Sequence, residues 1–312
     1  MTYGPAPHPG TGQPFLSPVP PGTGWPGDPA NARTPRARTA DDVRRLARSA
    51  RSLELIDARS SVCLACPRLV EWRERVATSG RRAAFADQPY WGRPTPGYGD
   101  DAPRLLVVGL APAANGGNRT GRMFTGDRSG DWIYAALYRA GYARVPWTRF
   151  AGDGQQLIAA RMVASVRCAP PDNKPLPVER DTCAGWLDRE VELVAPSVRV
   201  VLALGAFGFD AFLACARRLG WPVPRPKPRF GHGVEIPLRT PSGADVVLLA
   251  SYHVSQQNTF TGKLTEEMLD AVLARARELT HPAVEGALEE DADMSDTARG
   301  PVHRSSGPED AR

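Results

Sequence analysis

An imidazole, an aromatic ring and a glycine-rich loop are the features of this sequence best suited to chemistry. His253 lies in Ser251-Tyr-His-Val-Ser-Gln-Gln-Asn258, directly after an apolar run at 246–250. A histidine held at such a point can give or take a proton near neutral pH. Phe124 stands among small residues in Asn118-Arg-Thr-Gly-Arg-Met-Phe-Thr-Gly-Asp127 and offers a platform for a flat ligand. Ahead of it, Gly109-Leu-Ala-Pro-Ala113 leads into a loop with Gly116, Gly117, Gly121 and Gly126. Such a loop lets backbone approach a ligand closely and present its amides. It lacks the Lys-Ser/Thr of a phosphate loop and the GxGxxG spacing of a dinucleotide turn. A Ser/His hydrolase fits poorly, because no GxSxG elbow occurs.

The cysteines form a second constellation. Cys63 and Cys66 make a CxxC, Cys168 follows the apolar run 162–166, and Cys183 comes 15 residues later. Four thiolates suffice for a closed tetrahedral zinc site or for an iron–sulfur cluster. The fifth, Cys215, stands between Leu213 and Leu219 in a helical stretch and reads as a buried core thiol. No apolar run reaches the length of a membrane span and no apolar signal core opens the chain, so a cytoplasmic protein is expected. Disulfides are disfavoured there, which brings metal binding forward.

These residues need a scaffold to bring them together. Apolar runs at 105–110, 162–166, 198–204 and 246–250 do not alternate, as strands covered on both faces do not. Helix-like stretches at 130–140, 178–194, 206–219 and 265–279 lie among and after them. Strands alternating with helices predict an α/β protein, a three-layer α/β/α sandwich on a four-stranded parallel sheet. Ligands of such folds sit beyond the carboxyl ends of the strands, where the glycine loop, Cys168 and His253 all fall. Thr39 reads as a helix cap with Asp41 and Asp42 behind it, opening one helix that ends before Cys63; a second follows at 68–77.

Composition divides the chain into three parts. Residues 1–38 are rich in Pro and Gly, with ten of the 31 prolines before residue 36, and are expected to be disordered. Residues 281–312 carry eight acids against three arginines and read as a disordered acidic tail. The folded body, 39–280, holds the positive charge of a protein whose net is +5, which suits a polyanionic partner.

At these same residues the sequence resembles the type 5 uracil-DNA glycosylases of bacteria and archaea. The matching stretches are Gly109-Leu-Ala-Pro-Ala113 with residues 118–127, Cys168-Ala-Pro-Pro-Asp-Asn-Lys-Pro175, and residues 251–258. The cysteine spacing is similar too, and the likeness runs from about Cys63 to Leu279. The resemblance implies a monofunctional glycosylase that flips uracil out of duplex DNA and cuts its glycosidic bond, acting as a monomer. It implies activity on other deaminated bases, such as hypoxanthine and xanthine. It also implies a structural 4Fe-4S cluster on Cys63, Cys66, Cys168 and Cys183. The chain departs from relatives at Asn115, where they often carry His. Ala164 or Ser165 stands where related families place a uracil-reading Asn, which implies a less discriminating pocket. Ala111 stands where the best-studied uracil glycosylases carry an acid.

On this reading Phe124 stacks on the extruded base and backbone amides around Ala111, Ala113 and Ala114 bond its edge. His253 donates to uracil O2, and Asn118 positions water, with Asp127 as second choice. Ser255, Gln256, Gln257 and Asn258 enter the DNA, while Arg119, Arg122 and Lys174 contact phosphates. Two other classes compete: a non-catalytic DNA-binding protein with structural metal, and an iron–sulfur redox enzyme. A radical enzyme would want three closely spaced cysteines around an open iron.

Overall fold

The computed structural model describes residues 3–281. The chain opens with an antiparallel hairpin, β1 (Ala6–Pro7) and β2 (Pro14–Phe15), then helices α1 (Ala40–Arg48), α2 (Leu53–Ser60) and α3 (Pro67–Thr78). Next come β3 (Tyr98–Gly99), β4 (Leu105–Gly109), a short α4 (Gly117–Thr120), α5 (Arg128–Arg139) and β5 (Ala160–Ala164). The remainder is α6 (Pro177–Val194), β6 (Val200–Leu204), α7 (Gly205–Arg218), β7 (Glu235–Arg239), β8 (Asp245–Ser251), α8 (Gln256–Phe260) and α9 (Glu266–Thr280).

The four apolar runs pair in parallel in the order β5-β4-β6-β8. Pleat alternation divides their side chains between two cores. Leu105 and Val107 of β4 pack with Ile133 and Leu137 of α5 and Leu273 of α9. Leu106 and Val108 pack on the other face with Leu187 of α6 and Phe212 of α7. Each such side chain contributes roughly 1.5–3 kcal/mol through burial, and a run with partners on both faces admits a polar residue only when it is paired, as Arg161 of β5 is with Glu190.

The four-stranded expectation is corrected at both edges. β3 and β7 add antiparallel to β5 and β8, giving a six-stranded mixed sheet. β3 has two residues, and β7 is largely exposed and contains Pro237, tolerated only on an edge. Neither leaves an apolar run to be read.

The single helix expected after Thr39 is two. Thr39 caps α1 through Asp42 N (3.1 Å), but Ser52 caps α2 through Leu55 N (3.3 Å) and restarts the helix. Val43, Leu46, Ala50 and Ile56 all stay buried against Trp186 of α6, so apolar spacing runs unbroken across the break.

Residues 3–38 depart from the disorder that their composition suggests. Phe15, Val19 and Trp25 form a core cluster with Trp91 and Ala151. Trp25 Nε1 donates to Thr120 O at 3.3 Å, and Arg93 makes a buried ion pair with Asp28 at 2.7 Å. A few aromatic anchors outweigh the chain entropy that Pro and Gly suggest. The acidic tail falls, beyond His281, outside the described residues. Among the described residues no helix is long and apolar enough to cross a membrane.

Candidate functional site

The carboxyl ends of β4 and β8 open onto a cleft of about 760 Å³. Residues 110–116 wall one side and the segment from His253 to Gln257 another. Phe124 and His253, 129 positions apart in sequence, meet there with ring centroids 6.0 Å apart at 42°.

The Phe124 ring lies close to Gly109 at the end of β4. Its backbone is left-handed, with φ of +48°, a conformation that costs a non-glycine residue roughly 1 kcal/mol or more. Met123, Ile133 and Tyr134 pack around it and hold it there. A Cβ on Gly116 would stand 1.9 Å from Asp127 Oδ2, so any larger residue there would displace that carboxylate.

His253 follows β8 and leans on the start of α7. Gly205, at φ +80°, opens that helix, and a Cβ there would approach His253 Cβ at 3.2 Å. Asn258 Nδ2 donates to His253 O at 2.8 Å and ties the turn from its far side. Desolvation by the surrounding protein pulls the imidazole pKa down to about 4, so the ring is neutral at physiological pH. A neutral imidazole still donates one N–H and accepts at the other nitrogen.

The structure brings together Ala111, Ala113, Ala114, Phe124, His253, Ser255, Gln256 and Gln257 along this cleft. Asn115 joins them, its Oδ1 accepting from Tyr90 Oη at 2.8 Å. Ser165 is turned away, donating to Gly109 O at 2.8 Å.

Three expected contact residues are instead interior supports. Asn118 is fully buried behind the loop, its Nδ2 donating to Arg73 O at 3.3 Å and Ala114 O at 3.4 Å. Arg119 donates to Asn115 O, Gln88 Oε1 and Gly126 O, and its guanidinium covers Phe85 at 3.9 Å. Arg122 is locked to Asp153 Oδ2 at 2.7 Å and bonds both Thr125 and Thr148. Their position in a glycine loop suggested surface basic groups; the loop instead closes over them. Lys174 is exposed beside Asp172 and Asn173, which line the cleft. Asn258 does not line it.

Asp127 does line the cleft. Its Oδ1 caps α5 by accepting from Gly130 N at 3.0 Å. Burial raises its pKa, against the lowering effect of the amides it accepts from. Sequence reasoning missed Trp72, Arg82, Phe85 and Arg128, which also line the cleft. Arg82 and Phe85 sit in a stretch with no periodicity, and Trp72 resembles any other helical apolar residue.

Cys63, Cys66, Cys168 and Cys183 line one largely apolar cavity on the other side of α3. Burial raises the Cys63, Cys66 and Cys183 pKa values, Cys66 to about 12, and the charge of Cys168 raises each further. Arg73 Nη1 donates to Cys168 Sγ at 2.9 Å. Two guanidinium nitrogens of Arg167, which also lines the cavity, are buried without a hydrogen-bond partner, and the Trp186 side chain is directed at Cys63. Buried donors without partners fit a sulfur-rich anionic group, which would give them acceptors. Among the described residues no group of three or more His, Cys, Asp or Glu stands ready to hold a metal ion, so this fit rests on donor chemistry. Cys215 lies in the α7 core, as expected.

The family model for the uracil DNA glycosylase superfamily matches residues 96–277. A type-5 uracil-DNA glycosylase of Mycobacterium tuberculosis is 56% identical over 272 residues, covering 87% of this chain and 98% of that protein. One from Thermus thermophilus is 48% identical over 221 residues, covering 70% and 94%. One from Pyrobaculum aerophilum is 40% identical over 249 residues, covering 80% and 96%. The likeness runs through both walls of the cleft and nearly end to end in those relatives, and this chain belongs to the uracil DNA glycosylase superfamily.

Proposed function

We propose that this protein hydrolyses the N-glycosidic bond of uracil in DNA, as the first step of base-excision repair. The observation that carries the reading is the approach of His253 to Phe124 in a cleft walled by residues 110–116. Relatives bearing the name type-5 uracil-DNA glycosylase support it.

Breaking the bond places positive charge on the sugar and negative charge on the departing base. Phe124 stacks on the base, and the loop amides with the His253 N–H stabilise the negative charge where it develops, in the manner of an oxyanion hole. His253 remains neutral before and during the step. With Asn118 behind the loop, Asp127 takes the role of positioning water and balancing the sugar's charge. Ser255, Gln256 and Gln257 meet the duplex, and Lys174 contacts a phosphate. Hypoxanthine and xanthine are further substrates, since neither Ala164 nor Ser165 puts a base-reading amide into the cleft. The protein works as a cytoplasmic monomer on duplex DNA.

Cys63, Cys66, Cys168 and Cys183 would hold a 4Fe-4S cluster, which supplies a structural tie between α3, β5 and α6. Arg73, Arg167 and Trp186 are this chain's donors toward it.

The test is a panel of duplexes carrying uracil, hypoxanthine, xanthine or normal bases, scored for abasic sites under single-turnover conditions. Uracil excision is expected, and H253A should lower its rate on the order of 10²–10³-fold while the protein still binds DNA. Near-normal excision by H253A would remove the leaving-group role. Iron and sulfide content of the purified protein tests the cluster.

A further inference from the structure

We propose that the side-chain amide of Asn115 reads the carbonyl that deamination creates on a base, O4 of uracil and O6 of hypoxanthine; this rests on the glycosylase reading above. Cytosine and adenine carry an amino group at that place, so deamination turns a donor into an acceptor there. A protein donor fixed opposite it bonds the damaged base and meets the undamaged parent donor to donor. A site built around such a bond rejects the analogue without the partner, because its own polar group is then left unpaired. Thymine and guanine share the carbonyl, so this contact separates uracil from cytosine and hypoxanthine from adenine, and no more.

Asn115 is the polar side chain of the wall formed by residues 110–116, which are otherwise Leu, Ala, Pro and Gly. His253 lines the cleft from another segment, and a uracil that meets His253 at O2 points O4 elsewhere. The two ends of the amide are told apart by what holds them. Tyr90 is fully buried, and its Oη donates to Asn115 Oδ1 at 2.8 Å. The backbone N–H of Arg82 is directed at Tyr90 Oη, so the phenol accepts there and its one proton is left for the amide oxygen. Asn115 O accepts from Arg119 Nε at 2.9 Å, which holds the main chain as well. With Oδ1 committed, Nδ2 is the free end. It has no hydrogen-bond partner among the described residues, and it stays open to solvent on a half-buried residue that lines the cleft. An oriented amide with its N–H groups unspent, on the wall of a binding cleft, is a donor kept for a ligand.

The test uses the full-length protein and two duplexes under single-turnover conditions. One carries uracil opposite guanine; the other carries pyrimidin-2-one, which is uracil without O4, in the same place. The readout is the ratio of the two excision rates, because the chemistry of the leaving group cancels when that ratio is compared between proteins. In N115A the ratio of uracil to pyrimidin-2-one is expected to fall about tenfold or more below that of wild type. In Y90F, where the amide is free to turn, it should fall by a smaller factor, about threefold. An N115A ratio within about twofold of wild type, with both bases slowed equally, would overturn the assignment. An unchanged ratio in Y90F would overturn the positioning role of Tyr90. Should N115A melt below wild type, N115S, which keeps a polar group beside Tyr90, carries the same comparison. Wild-type protein that leaves uracil in place would sink the glycosylase reading, and base reading with it.

Discussion

His253 shows how a half-buried side chain, desolvated by its surroundings, resists protonation. Its folded pKa of about 4 lies below the ordinary 6.5, so between these values the unfolded chain binds more protons than the folded one. Stability from this residue is therefore complete above about pH 6.5 and declines as pH falls toward 4. The expected outcome is an NMR titration in which the His253 ring proton does not shift above about pH 5, and excision rates without an inflection near 6.5. An inflection near 6.5 that H253A abolishes would contradict this. Asp127 is a second case. D127N keeps a side chain able to cap α5 but removes the charge, so excision should fall by about 10²-fold or more while melting changes little. Equal loss of stability and activity would mean that the cap alone matters.

At the level of elements, legibility in the sequence followed chemistry of two kinds. Runs buried on both faces announced β4, β5, β6 and β8, because apolar side chains dominate between two layers of helices; Arg161 of β5 is buried there only as an ion pair with Glu190 and Asp57. His253 was legible because it follows such a run, and Phe124 because it is an aromatic ring among the small residues of the glycine loop. Arg119 and Arg122 were misread because glycines around them signalled an open loop, whereas α4 and its turn fold back over both guanidinium groups. Nothing in the local sequence distinguishes an arginine facing phosphate from one facing Asp153. Edge strands and α8 were missed because their side chains are mostly exposed and carry no period. Lys174 is exposed after β5, where a phosphate contact is proposed. K174A should weaken DNA binding at low salt and reduce the slope of log affinity against log salt by about 1. An unchanged slope would take it off the contact surface.

Across the whole molecule, the described residues join two sites through one set of supports. Arg73 donates to Cys168 Sγ and to Gly92 O, while its own carbonyl accepts from Asn118 behind the glycine loop. From the opposite side, Trp25 donates to Thr120 O at the end of α4. W25A should therefore cost on the order of 3–5 kcal/mol of stability, read from denaturant unfolding, by opening a cavity next to Trp91. A cost below about 1 kcal/mol would show that the first 38 residues are merely laid on the surface. If they are not, a protein translated from an internal start codon would still carry every cleft side chain on a slackened floor. The choice of start site in expression, and any tag fused there, then becomes a variable of catalysis.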